Sequence, residues 1–261
     1  MISRQVFIIS LLLAQVASSF ASQNDLRDIK NDAFKPGEKL TFRVHYGFVD
    51  AGTAQLEVVP ELQKIGPRSC YHVVGTGRSV GAFDWFFKVR DRYESFVDET
   101  AMVPWLFLRN VEEGNYKKSQ QVVFDHYRDS VRSEKKTIGV PDNTQDLISA
   151  FYYARTLDFT SAKPGQVFPI NGYFDDDTIP LNIKVVGREV LSTKLGTFRC
   201  IKFHPLLQEG RVFKENEDMT VWVSDDKNKI PVRVQTDILI GSIKMDLTGY
   251  ENLANPPALV R

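Results

Sequence analysis

Leu40, Phe42, Val44, Tyr46 and Phe48 alternate with Thr41, Arg43, His45 and Gly47, a period of two that belongs to a strand with one face turned inward. Val49-Asp50-Ala51-Gly52 carries turn chemistry, and Ala54, Leu56 and Val58 resume the alternation, so the segment predicts a hairpin. Strand-like runs recur at 70–74, 93–97, 105–109, 121–125, 179–186, 197–203, 219–223, 232–236 and 241–247. Gly66-Pro67, Glu113-Gly114-Asn115, Asp225-Asp226 and Asn228 punctuate them. This rhythm predicts a mainly-β fold: a curved antiparallel sheet, half-barrel or barrel-like.

One stretch breaks the period. After Pro141, Asp142-Asn143-Thr144 supplies cap-type residues, and Leu147, Ile148, Phe151, Tyr152 and Leu157 recur at helical spacing. The expectation is one main covering helix over 144–157, its aromatic stripe facing the sheet. Two blocks are also alike. Tyr93–Asp98 followed by Pro104 resembles Met219–Ser224 followed by Pro231, each reading strand, acidic turn, proline, strand. Either the chain carries an internal duplication, or two β-meanders share a common pattern.

Composition adds compartment and excludes partners. Lys plus Arg and Asp plus Glu number 33 each, so the net charge is zero and no basic footprint for nucleic acid exists. Residues 1–21 read as a signal peptide, with Arg4, an apolar run Val6–Val16 and Ser19-Phe20-Ala21 before the cut. That run is short of the roughly 20 residues a spanning helix needs. No cysteine lies near the cut, so no lipid anchor is expected. Residues 22–261 are then expected to form a single mainly-β domain, periplasmic or secreted and not membrane-spanning. The short, irregular strands and the non-aromatic end at Ala258–Arg261 speak against an outer-membrane barrel.

Cys70 and Cys200 are the only cysteines, each in a strand-like run. In an oxidising compartment they could form a disulfide that contributes about 4–5 kcal/mol. The alternative is two separate buried thiols.

Catalytic patterns fail on context. Gly77-Arg78-Ser79-Val80-Gly81 matches a nucleophile elbow, which would make Ser79 the nucleophile of a serine hydrolase, a remote alternative. The chain lacks the alternating helices that a parallel sheet needs around such an elbow. His45, His72, His126 and His204 stand singly in strands, and Asp175-Asp176-Asp177 lacks the glycine and closing glutamate of a calcium loop. It reads as a solvated hairpin tip. No metal, cofactor or enzymatic activity is expected. The informative excess is aromatic: Phe83, Trp85, Phe86 and Phe87 crowd behind a glycine-rich bend. Such density is either core or an apolar mouth.

Several stretches resemble a known bacterial family: Phe34–Gly52, Phe87–Asp98, Asp146–Arg155, Gly187-Arg188-Glu189, Leu195–Cys200 and Met219–Arg233. The resemblance is to the exported family catalogued as domain of unknown function 3108, from about Phe34 to Leu253. It implies an exported envelope protein without an established activity, and it assigns no site residues. More loosely, the Trp222–Val232 unit is similar to units of periplasmic lipoprotein-carrier half-barrels, which enclose an apolar cavity.

The resulting expectation is a non-enzymatic protein that binds an apolar small molecule or lipid. Phe42, Val44, Tyr46 and Phe48 would form one wall, Leu147, Phe151 and Tyr152 the helical cover, and Trp85 and Phe86 the rim. The alternative is a structural or assembly factor that contacts an envelope protein partner.

Overall fold

The computed structural model describes residues 26–206, 219–238 and 241–260. The expected signal peptide, residues 1–21, lies outside the described residues.

The first half of the chain supplies β1 (Lys39–Tyr46), β2 (Val49–Val58), β3 (Gln63–Ile65), β4 (Arg68–Ser79), the short helix α1 (Gly81–Phe86), β5 (Val89–Asp98), β6 (Pro104–Glu113), β7 (Tyr116–Asp125), β8 (Ser130–Arg132) and β9 (Thr137–Gly139). Helix α2 (Leu147–Thr156) follows. Then come β10 (Val167–Phe168), the hairpin of β11 (Asn171–Phe174) and β12 (Asp177–Pro180), and the strands β13 (Asn182–Thr193), β14 (Gly196–Leu206), β15 (Met219–Ser224), β16 (Pro231–Asp237) and β17 (Ser242–Glu251).

Each half folds as an antiparallel meander, and β1 pairs with β17 to fuse the two into one sheet. The order is β10-β13-β14-β15-β16-β17-β1-β2-β4-β5-β6-β7-β8-β9, with β3 on β4 and β11–β12 apart. The sheet is curved but not closed. The order ends in the two-residue β10 and the three-residue β9. Because β10 pairs only with Ile183 and Lys184 and β8 only with Val123–Asp125, most of β13 and of β7 has no strand beyond it.

The two proline-bearing blocks fold alike. A bulge falls between Phe96 and Val97 and sets Val97 opposite Pro104. The matching bulge falls between Trp222 and Val223 and sets Val223 opposite Pro231. Met102 and Lys229, each two residues before the proline, both take positive φ, 52° and 48°. The Asp98 amide donates to Val103 O and the Ser224 amide to Ile230 O, both at 2.8 Å. This shared geometry supports duplication over chance similarity.

These two turns grip the two ends of α2. At its start Gln145 Nε2 donates to Met102 O at 3.0 Å. At its end Arg155 Nε donates to Asn228 O at 2.8 Å and Lys229 Nζ to Arg155 O at 3.0 Å. Arg155 also forms a fully buried pair with Glu38 at the head of β1, Nη1–Oε1 2.6 Å and Nη2–Oε2 2.8 Å. Phe34, Tyr71, Val73 and Tyr152 close the core beneath the helix.

Four local expectations are corrected. The β1–β2 turn is Gly47-Phe48, not 49–52, because Gly47 takes the φ of +56° that a tight turn requires. Helix α2 starts at Leu147 rather than 144: Asp146, not Thr144, is its cap, and Gln145 is held in a bridge to Gly172. The run 179–186 is two strands in two sheets, broken at Leu181, whose amide bonds Ile170 O. The Cys70–Cys200 bridge is not formed. Both thiols are free and buried, one on β4 and one on β14, with five strands between them along the sheet.

Arg155→Ala is expected to lower unfolding stability by about 3–5 kcal/mol, since it strands Glu38 buried and unpaired. Denaturant titration of Arg155→Ala, Glu38→Ala and the double variant checks it. The double is expected to lose less than the sum of the singles, and strict additivity would show the pair uncoupled.

Candidate functional site

An apolar cleft of about 270 Å³ lies between one face of α2 and the strands β13–β15. Leu147, Ala150, Phe151 and Ala154 come from the helix, spaced at three and four residues on one face. Ile170 and Leu181 flank the β11–β12 hairpin, and Phe159 follows the helix. From the sheet come Ile183, Phe203, Pro205, Met219, Val221 and Val223. Phe203 pairs with Val221 and Ile201 with Val223 across β14–β15, so the bulk of that wall is set by strand register.

Arg155 and Lys229 are the two charged residues on the lining, and both heads are engaged. Burial, with the neighbouring Arg155 cation, lowers the Lys229 pKa. The described lining holds no carboxylate, histidine or thiol. What the arrangement can do is exclude water from an apolar guest.

A larger depression of about 580 Å³ is lined by Thr41, Gln55, Arg78, Arg90, Asp91, Arg92 and Asn110 among others. Two of its arginines are committed, Arg90 to Asp84 and Arg92 to Glu94. We favour the smaller cleft, because its walls are apolar and lie under a helix pinned at both ends.

The helix is fixed by a buried cap. Asp146 Oδ1 accepts the amides of Ile148 and Ser149, both at 2.8 Å, while Ser149 Oγ accepts the Asp146 amide at 2.9 Å. Ser95 Oγ donates to Asp146 Oδ2 at 2.6 Å. Burial pushes the Asp146 pKa up to about 6, against the opposing effect of those hydrogen bonds.

The structure brings together only part of the expected site. Leu147 and Phe151 lie on the cleft wall. Tyr152 turns the other way and is fully buried against Phe34, ring centroids 4.7 Å apart. The expected strand wall is dispersed. Phe42 is core beside Phe198 and Trp222, Val44 is half-buried, Tyr46 is 38% exposed, and Phe48 stands free at the turn tip. His45, on the opposite face of β1 from Phe42, is buried on Asp246, Nε2–Oδ2 3.0 Å, and the bulge beside it places its extra residue, Ala51, in β2. Trp85 and Phe86 sit on α1 in solvent and do not line the cleft.

Ser79 ends β4 and fastens α1. Its hydroxyl donates to Asp84 at 2.6 Å and accepts the Val89 amide at 2.8 Å, with no histidine among these partners. Nor is the aspartate triplet a solvated tip. Asp175 binds Arg109 and Lys118, and Asp176 is buried and binds Lys135.

Sequence reasoning missed Arg155 and the sheet residues of the cleft. A signal for the first existed: Arg155 falls four residues after Phe151, inside the apolar stripe. Phe203, Val221 and Val223 were readable as inward strand positions, but not as neighbours of the helix.

Fold and cleft together define a curved, open β-sheet protein whose covering helix leaves an apolar gap on one side. The chain belongs to the family described as protein of unknown function, DUF3108, whose model matches residues 41–248. No curated protein matches it. Among solved structures, a β-barrel-like protein of domain of unknown function DUF1849 from Brucella abortus is similar, with 9% identity, 84% of this chain and 99% of that chain covered, and a TM-score of 0.54. A DUF1089 family protein from Pseudomonas aeruginosa has 10% identity, covers 69% of this chain and 87% of that chain, and reaches a TM-score of 0.37. At these identities the first likeness shows the fold alone, and the second is too distant to support an argument.

Asp146→Asn keeps a cap-competent side chain while removing its titration. The folded-state pKa of Asp146 lies above its unfolded value of about 4. Its contribution to stability is therefore full below pH 4 and lost as pH rises through about 6. The stability of the wild type relative to Asp146→Asn is expected to fall between those limits. Urea titrations at a series of pH values check this; a flat difference would contradict it.

Proposed function

We propose that the protein is an exported envelope protein that binds one apolar, lipid-like ligand in the cleft beneath α2 and performs no chemistry on it. The observation that carries this reading is the lining itself. A water-soluble chain gains stability by covering apolar surface, and this one leaves a continuous apolar wall uncovered between a helix and the sheet. The volume of about 270 Å³ falls just below the roughly 300–1,000 Å³ of small-molecule sites. That size favours a single chain or a small apolar molecule over a multi-chain lipid. The absence of titratable groups from the described lining other than two engaged cations supports binding rather than catalysis.

The chemistry of recognition is then burial of CH₂ groups, each contributing about 0.8 kcal/mol. Selectivity would come from length and girth rather than from a headgroup.

Ala154 lies on the helical wall and is half-buried. Ala154→Phe places a ring in the gap and is expected to weaken uptake of a fluorescent fatty acid at least about tenfold, a loss of about 1.4 kcal/mol. Its unfolding midpoint should change little. Native mass spectrometry of protein purified from its own envelope should show an added lipid-sized mass. A clean apo mass, together with no uptake of the fluorescent fatty acid, would rule the proposal out.

A further inference from the structure

At the end of the sheet where β1 runs into β2, the side chains that stand farthest into solvent are aromatic. Phe48 is 102% exposed, Trp85 81% and Phe86 76%, the three most exposed large hydrophobic side chains among the described residues. Tyr116 at the β6–β7 turn and Ile243 at the head of β17 lie on the same rim, 54% and 42% exposed. From β17 to β7 the strand order runs β17-β1-β2-β4-β5-β6-β7, so the rim extends about 30 Å at the usual strand spacing.

This rim is built, not frayed. Helix α1 has no buried residue, yet it is fastened at its base by Ser79 and by the Asp84–Arg90 pair, 2.6 and 3.0 Å. Trp85 and Phe86 pack edge to face at 4.6 Å between centroids. The ring of Phe87 lies so close to Gly114 that a Cβ there would come within 2.9 Å of it, and a Cβ on Gly241 would likewise come within 3.1 Å of the ring of Tyr46. Each aromatic thus braces the neighbouring turn.

We propose that this rim docks on a lipid bilayer, its aromatic tips entering the interfacial zone. Charge selects the occupant. The ions interleaved with the tips neutralise one another: Arg43 with Asp50, Arg90 with Asp84, and Lys88 and Lys117 with Glu112 and its neighbour Glu113, which pairs with Tyr116 at the same turn. A rim without net charge matches a zwitterionic surface and gives no reason to seek an anionic one. Trp and Tyr, apolar in body and polar at one edge, favour the bilayer–water boundary. Separate projecting tips need no shape complementarity from what they enter, whereas a protein partner of standard size needs a continuous matched face of about 800 Å².

The test is sedimentation of the full chain with phosphatidylcholine vesicles, alone and with phosphatidylglycerol. Trp105 and Trp222 are buried, so Trp85 reports insertion. The wild type is expected to bind both vesicles alike, with a blue shift of tryptophan emission and quenching by brominated acyl chains. Phe48→Ser/Trp85→Ser/Phe86→Ser is expected to lose at least about tenfold in vesicle affinity while keeping its melting temperature and its uptake of a soluble fatty-acid probe. No binding, binding only to anionic vesicles and abolished by salt, or an unaffected triple variant would each overturn the proposal. So would self-association of the wild type without vesicles that the triple variant lacks, since the rim would then be an interface between copies.

Discussion

A guanidinium and a carboxylate with no access to water are a stable pair only if further hydrogen bonds take up most of their remaining capacity. Arg155 and Glu38 do so in one arrangement, with four guanidinium hydrogen bonds. The guanidinium meets both carboxylate oxygens, Asn228 O and Ala33 O, and its flat face lies over the rings of Phe34 and Tyr152. The pair therefore joins three distant stretches: the approach to β1, the end of α2 and the turn before β16. Sliding the helix by one residue would leave a buried charge unpaired, so the ion pair fixes the register of the helix on the sheet as no apolar contact could.

That register explains why the cleft lies where it does. The like turns at 98–104 and 224–231 hold the start and the end of α2, which places the helix across the seam between the two halves. Its Tyr152 side settles tightly on Phe34 and Tyr71. The opposite side, carrying Leu147 and Phe151, meets β13–β15 at a distance and leaves the gap open. Two similar meanders covered by one helix cannot be packed equally on both sides. The cleft is the consequence of that asymmetry.

Much of this was legible in the residues. The alternation at 40–48 and 54–58 and the helical spacing of Leu147, Ile148, Phe151 and Tyr152 are local signals, and the elements they predict are present. So is the kinship of the two proline blocks, which reappears as paired bulges. What failed was non-local. Strand β1 keeps its alternation but buries Phe42 on one face and His45 on the other. The bulges beside it place their extra residues, Thr248 and Ala51, in the partner strands, so which face is covered is decided by pairing that no sequence mark reports. Glu38 pairs with a residue 117 positions away, which no periodicity reports. Trp85 and Phe86 were recognised as an aromatic excess, but whether such a cluster is buried is decided by what folds over it. Here nothing among the described residues does.

The most direct test of the account is where a bound chain makes contact. Isotope-filtered NMR on methyl-labelled protein with an unlabelled long-chain fatty acid would report it through nuclear Overhauser effects. The account requires contacts from acyl protons to the methyl groups of Leu147, Ala150, Ala154, Val221 and Val223. Contacts confined to the outer face of the sheet, or no contact while all five methyl groups remain visible at saturating ligand, would contradict it.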